Sequence, residues 1–251
     1  MVSNLTIAMM IAELVLTLIL PIVVIAYAVF KKKVQMKMVL VGAIAFIVSQ
    51  LLIRVPLLNV LATQSGFQTW MGNPIFSGLF LGLTAGLVEE IARYLGFRSM
   101  RKNRTFLDGI GYGLGHGGIE SIVLVGLATI NNLIVAFAIN NGTIQTMFAG
   151  YDSALIQQMI DILTTTDSMM FLLGGIERVM TLLIHVGLSL VVLQVFHKRN
   201  IKYLWYAIIL HTLVNAPIAL LNPYGILVTE AYIALCAAIA LFYISQSARI
   251  E

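Results

Sequence analysis

Charge is what this sequence is shortest of. Only 10% of its 251 residues are Asp, Glu, Lys or Arg, against roughly a quarter in an ordinary soluble domain. A water-soluble fold of this length cannot cover its surface with so few. One cysteine and five prolines exclude a disulfide scaffold and a collagen-like chain. Cys236, alone in a late apolar run, reads as a small buried hydrophobe. The compact zinc motifs of soluble enzymes are missing, as are a serine elbow and a Cys/His pairing for covalent catalysis. No aspartate pair sits at a depth that would suit an aspartyl intramembrane protease. Disorder is excluded by what the chain does have, since 60% of its residues are hydrophobic.

Seven apolar stretches carry that hydrophobicity: Met9 to Phe30, Met38 to Leu61, Pro74 to Phe97, Phe106 to about Ile130, Met169 to Phe196, Tyr203 to Leu221, and Ile226 to Ile244. Each approaches the length that crosses a bilayer. The expected fold is all-α, a polytopic membrane helix bundle of about seven transmembrane helices forming one integral membrane domain over residues 1–251. The first stretch has no basic residues before it and is followed by Lys31, Lys32 and Lys33, so it reads as a retained anchor rather than a cleaved signal.

The basic residues alternate along this map. Lys31, Lys32, Lys33 and Lys37 follow the first stretch, and Arg98, Arg101, Lys102 and Arg104 the third. Lys198, Arg199 and Lys202 follow the fifth, and Arg249 the seventh. Of the 15 basic residues only Arg54, Arg93 and Arg178 fall inside stretches. The positive-inside rule then puts the amino terminus outside and the carboxyl terminus in the cytoplasm. This topology explains the net charge of +4, so the expected partner is the lipid bilayer and not nucleic acid. The expected location is a bacterial or archaeal cell membrane. Residues 131–168 read as the longest outer connection, with Ser153 to Leu163 spaced as an interfacial helix.

Charge inside a bilayer is expensive, so each ionisable residue within a stretch needs a partner, a cavity or a task. The third stretch contains Glu89, Glu90 and Arg93, and the fourth Tyr112, His116 and Glu120. The fifth contains Glu177, Arg178 and His185, and the sixth His211 and Asn215. Counted from the nearest basic anchor, Glu89 and His211 lie about 13 Å deep, His116 and His185 about 18 Å, and Asn215 about 20 Å. The chain therefore predicts one polar layer drawn from four helices. Glu177 and Arg178 come out near the opposite end, where a structural or gating role is expected.

Local spacing refines this. Arg93 is within reach of both Glu89 at i,i+4 and Glu90 at i,i+3, so one guanidinium can neutralise one carboxylate and leave the other to act as a base. Tyr112, His116 and Glu120 share a helix face, where the carboxylate can fix the imidazole tautomer. Gly109, Gly113 and Gly117 form a small-residue ridge suited to close helix packing. His211 and Asn215 can both donate toward one oxyanion, or His211 can ligate a metal. His116, His185 and His211, at nearly one depth, are enough with a water for a tetrahedral Zn²⁺ site. A metal-free Glu/His/Asn mechanism requires no cofactor, and both versions stay open.

These residues resemble the motif set of the CAAX-processing and bacteriocin-processing membrane proteases: a double-Glu and Arg helix, an aromatic-x-x-x-His helix from Tyr112 to His116, and a His-x-x-x-Asn helix from His211 to Asn215. The Gly-His-Gly-Gly-Ile-Glu run from Gly115 to Glu120 and the Gly-Gly-Ile-Glu-Arg run from Gly174 to Arg178 are more similar to YhfC-type membrane peptidases. The resemblance covers residues 74–221, the expected protease core. It implies an intramembrane endopeptidase acting on a peptide or membrane-protein substrate, with the first carboxylate activating water beside His116 while His211 and Asn215 hold the oxyanion. One departure is that two residues, Ile91 and Ala92, separate the Glu pair from the Arg, where the wider family has three. Anchoring on the acids makes Glu89 the base; anchoring on the Arg moves that role to Glu90. The competing readings are a proton-coupled transporter, which predicts paired broken helices and substrate flux, and a non-enzymatic immunity or assembly protein.

Overall fold

The computed structural model describes residues 1–249. Seven helices in it are long and apolar enough to cross a membrane: span 1 Asn4–Lys32, span 2 Met36–Ala62, span 3 Pro74–Ser99, span 4 Phe106–Asn140, span 5 Ser168–His197, span 6 Lys202–Tyr224 and span 7 Ile226–Ser247. No strand occurs among the described residues. The protein is an all-helical, multi-pass integral membrane protein.

Span 4 runs ten residues past its expected end near Ile130. Asn131 and Asn132, at the start of the expected outer connection, continue the helix, an asparagine inside a helix being only mildly unfavourable. The following Leu133, Val135, Ala136 and Ala138 are buried, and that packing outweighs the propensity. Beyond it, Ser153–Thr165 is a helix whose Asp152 side chain accepts the Ala154 N–H.

The chain divides into two compact units. The first comprises Met1–Val23 and Ser121–Val179. Its core gathers Val2, Met10, Leu133, Val135, Ile144, Ile156 and Leu163. The expected interfacial helix thus turns Ile156 and Leu163 inward as ordinary packing. The Gly-Gly-Ile-Glu-Arg run belongs to this unit: a methyl at Gly175 would lie 3.1 Å from Glu13 Cα, and Glu177 pairs with Arg178.

The second unit comprises Val24–Glu120 and the described residues from Met180 on. Glycines bring its helices close. A methyl at Gly113 would lie 2.9 Å from Val186 N, and one at Gly109 2.6 Å from Leu190 Cδ2, so the ridge on span 4 seats against span 5. A methyl at Gly111 would lie 2.7 Å from Val34 Cγ1, just before span 2, and 3.3 Å from Met38 Cβ on it. Gly82 and Gly86 of span 3 face Ala216 N at 2.9 Å and Ile208 O at 2.8 Å on span 6. Backbones this close leave side chains on the flanking faces little choice of direction, which is how His116, His185 and His211 come to share neighbours.

Span 6 shows how the unit keeps its backbone satisfied without water. Pro217 has no N–H for the Leu213 carbonyl four residues back. The Tyr232 hydroxyl of span 7 donates to that carbonyl instead, as hydrocarbon surroundings demand.

Candidate active site

Glu89, Glu90 and Arg93 are buried on span 3 with 3%, 0% and 0% exposure, and the arginine fixes the frame. Guanidinium has five N–H groups and accepts nothing. In Arg93 all five find acceptors. Nε donates to Glu90 Oε2 at 2.9 Å, and Nη2 to Glu90 Oε1 and to His185 Nδ1, both at 3.2 Å. Nη1 donates to the His185 carbonyl at 3.2 Å and to Ser189 Oγ at 2.5 Å. Arg93 therefore neutralises Glu90 and joins span 3 to span 5.

That fully assigned donor settles two imidazoles. His185 Nδ1 must accept from Arg93, so the ring proton sits on Nε2, 2.7 Å from Glu120 Oε2. His211 Nδ1 lies 2.8 Å from Glu90 Oε1. Glu90 is held as a carboxylate by the arginine, so His211 Nδ1 donates to it. His211 Nε2 is left 3.9 Å from Glu89 Oε2.

Glu89, one residue from Glu90, has different company. Its Oε2 is 2.9 Å from His116 Nε2 and its Oε1 accepts from Gln50 Nε2. His116 is fully buried, Phe46 packs edge-on against its ring at 5.3 Å, and its Nδ1 has no hydrogen-bond partner. The His116 and His185 rings are 4.8 Å apart and the His185 and His211 rings 5.6 Å. Of the residues expected from sequence, Glu89, Glu90, Arg93, His116, Glu120, His185 and His211 thus come together. Asn215 ends the helix Lys202–Asn215 and makes no hydrogen bond to the cluster.

Within this cluster, one atom each from Glu89, His116, Glu120 and His185 lie within 4.8 Å of one another, a buried group able to hold a metal ion. The model of the family described as YhfC intramembrane metalloprotease matches residues 16–237. The chain is 36% identical over 232 residues, 88% of its length and 89% of the relative's, to the "Uncharacterized membrane protein YhfC" of Bacillus subtilis (strain 168). The chain belongs to the YhfC intramembrane metalloprotease family. No solved structure matches it.

The donor set fits the metal in the YhfC family's description. Two imidazoles and two carboxylates are the ligand chemistry of zinc, and a catalytic zinc takes three such ligands and keeps one position open. The orphaned Nδ1 shows that His116 is not saturated by the protein alone. One adjustment is required, because a metal at His185 Nε2 displaces the proton that the Arg93 contact places there. The metal set expected from sequence, His116, His185 and His211, shares two members with the observed group. His211 is turned toward Glu90, and the carboxylates Glu89 and Glu120 complete the four.

Sequence reasoning missed Gln50, Arg54 and Ser189. Arg54 was visible as a charge inside an apolar stretch, yet nothing in its neighbours indicated where it points. Gln50 is neutral and Ser189 small, and neither stands out in a helix.

Proposed function

We propose that this chain is an intramembrane endopeptidase in which Glu89 is the general base. The observation that carries the reading is the unequal treatment of two adjacent carboxylates. Glu90 is consumed by Arg93 and His211, whereas Glu89 Oε2 faces two imidazoles with no guanidinium upon it. A base must have an oxygen that no guanidinium neutralises, and of the two only Glu89 offers one.

Glu89 Oε2 takes a proton from water as the water oxygen adds to the scissile carbonyl carbon. The same oxygen returns that proton to the amide nitrogen as the C–N bond breaks. His116 orients the carboxylate. His211 acts as the doubly protonated imidazolium, Nδ1–H donating to Glu90 and Nε2–H to the developing oxyanion, and Asn215 one turn further on is available as a second donor. His116, His185 and Glu120 are the groups to hold a divalent metal, with Glu89 beside them. Such a metal supplies Lewis-acid polarisation of the carbonyl and activation of the water. Residues 74–221 carry these groups, and with the amino terminus outside, cleavage occurs near the cytoplasmic face.

The test uses the full-length chain in proteoliposomes with Zn²⁺ and a set of fluorogenic transmembrane peptides, products being located by mass spectrometry. Glu89→Gln, His116→Ala and His211→Ala are each expected to lower cleavage by about 100-fold or more, and 1,10-phenanthroline to suppress it through the metal. Undiminished cleavage in all three variants rejects the site.

A further inference from the structure

We propose that Gln50 is a positioning residue for Glu89, itself held in place by Arg54; the assignment rests on the proteolytic reading above. Gln50 is 8% exposed on span 2 and donates through Nε2 to Glu89 Oε1. A glutamine amide can present either its oxygen or its NH₂ to a neighbour, and here Arg54 decides. Arg54 Nη1 lies 3.2 Å from the other terminal atom of Gln50 and can only donate, so that atom is the oxygen and the NH₂ faces Glu89.

Arg54 is in turn anchored. Its Nη2 donates to the Leu81 carbonyl at 2.9 Å and its Nε to Thr84 Oγ1 at 3.2 Å, both on span 3. The result is a chain of donors, from an Arg54 fixed to span 3 through Gln50 to Glu89 on the same span. With Oε1 occupied, the carboxylate cannot rotate freely, and Oε2 is the oxygen presented to His116 and His211. Both residues lie in a π-helical segment, Ile47–Arg54, in which the Val55 N–H reaches back to the Gln50 carbonyl. Pro56 follows and cannot donate to Leu52. The widened turn before it redirects side chains relative to a regular helix, and such turns recur at functional sites.

The role predicts a defect in turnover rather than in binding. In full-length chain reconstituted into nanodiscs, Gln50→Met keeps the length of the side chain but removes donor and acceptor. It is expected to lower kcat for fluorogenic transmembrane peptides by roughly 10–100-fold, the usual loss for an outer partner of a site group, with KM within about twofold. Gln50→Glu keeps the Arg54 contact without the donor and should match it. Placed in Glu89→Gln, Gln50→Met should add nothing, since Gln50 acts through Glu89. Arg54→Met, which leaves the Gln50 amide in place, should give a smaller kcat loss and covers the case in which Gln50→Met does not fold.

The second readout needs no substrate. Co²⁺ is titrated into wild type and Gln50→Met and its visible d–d bands recorded; a displaced Glu89 is expected to change their intensity. If wild type cleaves no peptide, the proteolytic reading fails, and the Co²⁺ bands alone decide for or against Gln50. Wild-type kcat together with wild-type bands in Gln50→Met overturns the assignment. A wild type that neither cleaves nor binds Co²⁺ overturns both.

Discussion

The two units bury carboxylates by different means. In the second, Glu89, Glu90 and Glu120 are met by one guanidinium, three imidazoles and an amide. In the first, Glu13 has 6% exposure and a single hydroxyl partner, Thr129 Oγ1, at 2.8 Å. That hydroxyl also lies 2.9 Å from the Val125 carbonyl and has one hydrogen to give. One unit assembles groups able to pass a proton between them, and the other satisfies one polar side chain and surrounds it with apolar packing. Burial of an acid in a membrane helix is therefore no mark of catalysis. What distinguishes the site is a carboxylate oxygen left facing imidazoles after its neighbour has been neutralised.

The contrast can be broken most forcefully at Glu89. Glu89→Gln is expected to lower kcat by about 10²–10⁴-fold, the span of general acid–base contributions, while the chain accumulates in membranes at its normal level. Parallel measurement of cleavage and abundance checks both halves. Glu90→Gln should show the reverse emphasis: it strips the Arg93 charge of its counter-ion, and breaking a buried pair costs about 3–5 kcal/mol. Reduced abundance and a lower thermal midpoint are the expected signs, and normal stability with lost turnover would move the base to Glu90.

Smaller effects belong to the first unit. A methyl at Gly174 would lie 2.8 Å from Glu13 Oε1, so Gly174→Ala should destabilise by about 1–3 kcal/mol through overpacking, read as a lower midpoint with kcat unchanged. Glu13→Gln is the mildest. The amide can donate to Thr129 while Thr129 donates to Val125, so stability should move by less than about 1 kcal/mol and cleavage should persist. Loss of cleavage in Glu13→Gln would erase the contrast between the units.

Much of this was readable in advance. Spans 2, 3, 5, 6 and 7 follow their apolar stretches to within a few residues, because hydrocarbon tolerates little but helix. The three histidines and the Glu/Glu/Arg turn were found as polar residues with no cheap reason to lie in lipid. Span 4 runs past its expected end because the buried Leu133, Val135, Ala136 and Ala138 continue the helix beyond Asn131 and Asn132. Which of Glu89 and Glu90 meets the guanidinium was not readable: both lie within one turn of Arg93, and the structure has Arg93 and His211 on Glu90, with His185 and Ser189 taking the remaining Arg93 donors. Asn215 was expected in the same layer and makes no hydrogen bond to the cluster among the described residues, since counting residues along a helix gives a level without giving a partner.

The sequence by itself determined that this chain spans a membrane as helices and that Glu89, Glu90, Arg93, His116, His185 and His211 need polar partners within it, because those are consequences of solvation that each residue pays wherever it sits. Only the tertiary structure decided which nitrogen of His185 accepts from Arg93, which of the two adjacent carboxylates Arg93 meets, and that Gln50 and Arg54 make a hydrogen-bonded chain to Glu89. Hydrogen-bond direction is a relation between neighbours, and glycine-lined helix contacts chose the neighbours.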